Sequence, residues 1–325
     1  MLINYYIKPH PSLSAFVDNY ILSSSGKDKY SFESCWPASN KTNIAFYLGD
    51  KPQHKTVTEN SPTFCGKRNC IVGASTGPGG IISFNGRFHA FLMDFKANGI
   101  NRIFGLPMYE LSDEIFSLEE VLGNQAAILE EQLAYATNVW QMACIADKFL
   151  LSFLSRRVKN NTFSNNIALA SNLINTHPNT LSIKQWACKT NMSIRNFQRR
   201  FKEQVGVSPK LYAKIVRFDK VLKRKIMQPG ESWSSVAYEC GYFDQMHLIR
   251  DFKAFTGFTP FDFFNHQHPE QVQLMPITRF TLADFFQIQR LKSDAAGIMS
   301  GRNKNSLPAN HEAPEEQLVI VNREE

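Results

Sequence analysis

Two sets of side chains in this 325-residue chain have the types and spacing to touch the edges of nucleic-acid bases. Arg195, Gln198, Arg199 and Lys202 fall at i, i+3, i+4 and i+7, which is one face of a helix. Met246, Ile249, Arg250 and Lys253 repeat that spacing further on, with Gln245 at the N-terminal edge. Arginine offers a planar fork to guanine, glutamine pairs with adenine, lysine clamps phosphate, and Ile or Met can meet a thymine methyl. Asn196, next to the first stripe, completes the candidate set. Neither stripe contains a carboxylate, although Glu203 and Asp251 lie just beside them. A single such stripe could be an ordinary solvated face. Two in one region argue for a polyanionic partner, double-stranded DNA.

Other chemistry is poorly supported. The cysteines at 35, 65, 70, 144, 188 and 240 are scattered. That pattern suits a reducing cytoplasm rather than a disulfide framework. Cys65 and Cys70 are spaced too widely for a Cys-x-x-Cys metal pair, and Cys35 stands alone. His10 and His54 lie in turn-like sequence and His89 in a strand-like one, and no His-Glu-x-x-His occurs. Gly77-Pro78-Gly79-Gly80 lacks the following Lys-Ser/Thr of a phosphate loop and reads as a turn. No nucleophile–base–acid set stands out. The expectation is no enzyme, no metal and no cofactor.

The elements that must position the stripes come from an internal repeat. At an offset of 51 residues, Phe197 meets Leu248, Arg199 meets Arg250, Phe201 meets Phe252, Gly206 meets Gly257 and Pro209 meets Pro260. At an offset of 50, Ile183 meets Trp233 and Ala187 meets Ala237. One residue has been gained inside the second copy, where a turn would be. Each copy reads as a helix-turn-helix with a small alanine where the helices cross. In the first copy Ser182 and Ser193 are the candidate N-caps and Gly206 the stop. In the second, Ser234 and Asp244 open the helices and Gly257 ends them. Between the copies, Lys210 to Met227 contains no Gly or Pro, and Leu211, Ile215, Phe218, Leu222 and Ile226 keep helical spacing. Eighteen residues make a strut of about 27 Å. That could hold two helices in successive major-groove segments, about 34 Å apart.

Charge marks the same region. Residues 165–268 hold 15 Lys/Arg against 7 Asp/Glu, whereas residues 1–164 hold 15 against 14 and residues 269–325 hold 6 against 8. The excess positive charge therefore sits in one block. No apolar run approaches the ~20 residues of a membrane span, and no basic-then-apolar leader opens the chain. The first ~110 residues are short apolar runs separated by turn residues, with Asn85-Gly86 as a hairpin signal. They predict a β-rich barrel or sandwich. Ala126 to Leu154 fits one or two amphipathic helices, and Arg156 to Thr162 reads as a polar linker. The last residues read as a polar, largely disordered tail whose apolar patch Leu318–Val321 has no assigned place.

The stretch from Ala237 through Gly241-Tyr242-Phe243-Asp244-Gln245, Arg250-Asp251-Phe252-Lys253 and Gly257-Phe258-Thr259-Pro260 resembles the signature of AraC/XylS transcription regulators, with Tyr242 where Phe is usual. Gly206-Val207-Ser208-Pro209 is similar to that family's close of the first unit. The resemblance covers about 180–265. It implies an α+β chain with an N-terminal cupin-like barrel, which senses a ligand or dimerises, and an all-α DNA-binding domain with two helix-turn-helix motifs. The expected divisions are a β-rich domain at 1–125, helix and linker at 126–164, the DNA-binding domain at 165–268 and the tail at 269–325. Implied partners are DNA, a second copy of the chain, and as further candidates a small-molecule effector and RNA polymerase. Rival readings are a sensor or interaction protein without DNA binding, and an Ada-like methyl acceptor, which would need four clustered cysteines.

Overall fold

A computed structural model describes residues 2–26, 29–55, 64–159, 165–178, 182–266 and 316–321. The strands are β1 (Leu2–Ile7), β2 (Val17–Ser24), β3 (Tyr30–Cys35), β4 (Thr42–Tyr47), β5 (Gln53–Lys55), β6 (Phe64–Cys65), β7 (Asn69–Val72), β8 (Ile81–Gly86), β9 (His89–Phe95), β10 (Ile115–Ser117) and β11 (Glu316–Val321). The helices of the first domain are α1 (Gly99–Phe104), α2 (Leu118–Leu122), α3 (Asn124–Ala134) and α4 (Val139–Lys159). Those of the second are α5 (Asn166–Thr176), α6 (Ile183–Lys189), α7 (Ile194–Val205), α8 (Pro209–Met227), α9 (Trp233–Glu239), α10 (Gln245–Thr256) and α11 (Pro260–His266). Among the described residues, no helix is long and apolar enough to cross a membrane.

The chain is α+β, with a β-rich N-terminal domain followed by a helical one. The expected barrel takes the form of two sheets facing each other. Seven strands lie in the order β10-β7-β4-β9-β2-β1-β11, and four in the order β3-β8-β5-β6. The two-residue alternation of strand side chains divides the larger sheet's faces. Ile21, Ala45, Cys70, Ala90 and Leu92 pack towards Tyr30 and Phe84 of the smaller sheet. Tyr20, Leu22, Ile44, Phe46, Phe91, Met93 and Phe95 pack on the other side against Leu129, Leu133, Met142, Ala146 and Leu150 of α3 and α4. The stretch from 126 thus belongs to the first domain's core. It forms two helices, and α4 runs four residues into the expected linker, to Lys159. Residues 160–164 lie outside the described residues.

One other expectation is corrected. Asn85-Gly86 is not a hairpin turn: both residues remain in β8, opposite Ser31 and Tyr30, and the chain then crosses to the other sheet. A side chain at Gly86 would collide with the Asp50 carboxylate. That carboxylate accepts a hydrogen bond from the Arg87 amide (2.7 Å). Phe88 follows and fills the space between the sheets, edge-on to Phe84. Within the tail, Glu316–Val321, which contains the apolar patch, pairs parallel with β1. Its β-branched residues suit a strand, and it covers an otherwise unpaired sheet edge. Residues 267–315 and 322–325 lie outside the described residues.

The second domain has two cores that share one helix. Trp186, Ala187, Phe197, Phe201 and Val205 bury with Tyr212, Ala213 and Val216 of α8. Val236, Ala237, Leu248, Phe252 and Phe255 bury with Ile215, Phe218 and Leu222 of the same helix. At ~1.5 Å per residue the 19 residues of α8 make a strut of about 28 Å.

Candidate nucleic-acid interface

Each candidate reading helix is held by local chemistry in its own sequence. Ser182 caps α6 in a reciprocal box with Gln185, and Ser193 accepts from the Asn196 amide to cap α7. Between α6 and α7, Asn191 takes a left-handed turn conformation (φ 53°), and Gly206 stops α7 at φ 97°. The second unit repeats this with Gly241 (φ 75°), the Asp244 cap on the His247 amide (2.6 Å), and Gly257 (φ 82°). The expected Ser234 cap is wrong by half a turn. Ser232 is the N-cap of α9 and accepts from the Ser235 amide, while the Ser234 hydroxyl donates to Gln245 Oε1 (2.8 Å).

With the helices fixed, the stripes can be placed. Arg195, Gln198, Arg199 and Lys202 are all exposed on α7, and Asn196 is half-buried. Arg199 is steadied from both sides: one nitrogen donates to Asn196 Oδ1 (3.2 Å) and another lies 3.5 Å from Glu203. On α10, Gln245, Met246, Arg250 and Lys253 are exposed and Ile249 is half-buried. The ten candidate residues therefore come together as two faces, five on each helix.

The neighbouring carboxylates behave differently. Glu203 stays at the surface beside Arg199. Asp251 is buried and turned towards α8, where it accepts from Lys214 (3.1 Å) and lies 3.5 Å from Arg217 and 3.7 Å from His247. Arg217 also stacks over Tyr242, 4.8 Å from the ring centre. Below this, Glu231 accepts two bonds from Arg224 (2.7 and 2.9 Å). The Arg224 guanidinium, with Ser235, holds the Glu231 carboxyl below the usual carboxylate range. Acidic groups near the second reading helix are thus drawn into struts that fix it.

Three features escaped sequence reasoning. Phe243, in the α9–α10 turn, is almost fully exposed, and only the change of repeat offset hinted at it. The C-terminal ends of both reading helices touch the first domain: Asn98 donates to Gln204 (3.1 Å), and the Ala38 amide donates to the Phe255 carbonyl (2.9 Å). A cavity of about 260 Å³ opens between Trp36, His54, Ser75, Thr76, Pro78 and Asp113. No local sequence pattern announces such long-range pairings.

Residues 186–266 match a helix-turn-helix domain family, and residues 5–117 match a domain of unknown function, DUF6597. No curated protein matches the chain. Among solved structures, the chain is similar to an apo variant of ToxT from Vibrio cholerae, at 13 % identity over 77 % of this chain and 96 % of that one, with a TM-score of 0.39. A second ToxT structure from Vibrio cholerae gives 12 % identity over 76 % and 96 %, with a TM-score of 0.37.

Proposed function

Starting from residues 186–266 as a helix-turn-helix domain of the AraC type, we propose that the protein is a cytoplasmic, sequence-specific DNA-binding transcription regulator. It would lay α7 and α10 into two successive major-groove segments. The observation that supports this most is the pairing of two exposed, carboxylate-free stripes on matched helices joined by a rigid α8. Arg195, Asn196, Gln198, Arg199, Gln245, Met246, Ile249 and Arg250 would meet base edges. Lys202 and Lys253 would meet phosphates.

Control would come from the first domain. A small molecule in the Trp36–His54–Asp113 cavity would bear on the loop that places Pro78 beside Gly257, at the end of α10. Self-association through α3 and α4, where Ile128 and Tyr135 stand exposed, belongs to the same proposal. The test is selection of the full chain on randomised duplexes, followed by affinity measured against salt. A consensus of two half-sites about one turn apart, with a steep salt slope, is expected. Binding with no sequence preference, or none at low salt, would overturn the reading.

A further inference from the structure

The two helix-turn-helix units match residue for residue except at one place. In the first, C-cap Thr190 and N-cap Ser193 enclose Asn191 and Met192; in the second, C-cap Cys240 and N-cap Asp244 enclose Gly241, Tyr242 and Phe243. The backbone bonds identify the extra residue. The Asn191 amide donates to Cys188 as Gly241 does to Tyr238, and Met192 donates to Ala187 as Tyr242 does to Ala237. Phe243 is therefore the residue without a counterpart.

Its side chain is 93 % exposed. An apolar residue just before an N-cap ordinarily folds back onto the fourth residue of the helix. That residue, Leu248, is 1 % exposed, and Tyr242 fills the core beside it instead. The fold makes no use of the Phe243 ring. One turn along α10, Met246 is 62 % exposed, and Ile249 follows at half burial. Gln245 accepts from Ser234, which leaves its amide N–H donors as the outward end. The cations of this face, Arg250 and Lys253, lie further along the helix, and Asp251 and His247 are engaged with each other. The first turn of α10 thus carries no Lys or Arg and exposes Met246 beside Gln245, just after the Asp244 cap, whereas the first turn of α7 exposes Arg195 beside Ile194, with Asn196 half-buried.

The N-terminal residues of a recognition helix are the ones that meet base edges. The apolar group that a base pair shows in the major groove is the thymine C5-methyl. We infer that the second unit reads thymine: Phe243 and Met246, with Ile249, pack on thymine methyls in its half-site, while Arg195 and Arg199 of the first unit read guanine. This rests on the DNA-binding reading above and adds the base class that the second half-site must contain.

The test uses the full chain and its selected duplex, with the second half-site identified by the contacts that Arg250→Ala loses. Uracil replaces thymine there, which removes the methyl and keeps every hydrogen-bonding group. Loss of a buried methyl is expected to weaken binding about fourfold at each contacted position. The double variant Phe243→Ser, Met246→Ser should bind the thymine duplex more weakly than the parent and lose its sensitivity to uracil except at a position met by Ile249. Both side chains are exposed, so an unchanged circular dichroism spectrum is expected. If the parent binds both duplexes equally while Arg199→Ala still weakens binding, thymine reading is wrong and DNA reading stands. If the double variant keeps its sensitivity to uracil, the apolar tip serves another surface, such as a protein partner. If no duplex is preferred and Arg199→Ala changes nothing, the DNA-binding reading itself falls.

Discussion

Arg199 and Arg250 hold equivalent places in the two units, yet their surroundings differ. Arg199 is oriented by Asn196 and Glu203, and a preset guanidinium fork loses less freedom on pairing with guanine. Replacing either arginine with Ala should cost ~1–3 kcal/mol and relax preference at one position of its own half-site. Lys202→Ala should weaken all duplexes alike and reduce the salt slope by about one. Affinity titrations on single-base variants separate the two outcomes, and equal losses across all sequences for Arg199→Ala would refute base reading by that residue. These positions were legible in the sequence because a helical stripe needs only spacing and residue type. Asp94 was not, since its state depends on what surrounds it. It is buried in the larger sheet, with Oδ1 lacking a hydrogen-bond partner, and burial pushes its carboxyl up to about 7 against the pull of Lys41. A raised carboxyl favours the folded state below about pH 4, and that stability is lost as pH rises to about 7. Asp94→Asn should remove this slope, raising the melting temperature at pH 8 with little change at pH 4. A parallel pH profile for parent and variant would show that Asp94 does not titrate in this way.

At the scale of elements, the second reading helix is positioned by α8 through Asp251. This carboxylate meets Lys214, Arg217 and His247 in a largely buried setting. Removing one partner of a buried ion network typically costs 3–5 kcal/mol. The part-exposed Lys214 side chain lowers the expectation for Asp251→Ala to about 2–3 kcal/mol. Urea unfolding should show the loss. Thymine-side contacts should weaken more than those of α7, whose caps and core are separate; a uniform weakening would mean that α8 transmits the damage to both units. The repeat made this architecture readable, because caps, stops and apolar spacing occur twice. Element pairing was less readable. Asn85-Gly86 carries the local chemistry of a hairpin, but the need to seat Phe88 between two sheets and Asp50 against Gly86 decides the path. The strand at Glu316–Val321 follows from a bare edge on β1, a partner more than three hundred residues away in sequence.

For the whole molecule, the first domain does more than sit beside the second. The core of the first unit includes Ala74, and that of the second includes Cys35 and Ala38. Gln204 is bonded to Asn98, Gly206 packs on Met108 and Ser112, and Phe255 is bonded to Ala38. Arg102, stacked over Phe16, donates to Asn165 at the start of α5 (2.8 Å). Each of these two helices is therefore gripped at its C-terminal end, which on the proposed reading would leave its N-terminal end for DNA and let α8 and the first domain together set the distance between the two. On the proposed reading, base preference would reside in α7 and α10 alone. Spacing preference should not. A fragment of residues 165–268 exposes the surfaces that Ala38 and Ala74 cover, so it is expected to be less stable than the full chain while keeping the same base consensus in each half-site. Given duplexes with zero to four base pairs added between half-sites, the full chain should favour one spacing sharply. The fragment, and a full-length Ala38→Asp variant that disrupts the packing of Ala38 in the core it shares with Phe255, should accept several. An effector bound in the first domain could then act by tightening or loosening this grip, limited by its differential affinity for the two arrangements. If the fragment shows the full chain's sharp spacing profile, α8 sets the geometry unaided. If its base consensus changes instead, the first domain takes part in reading bases.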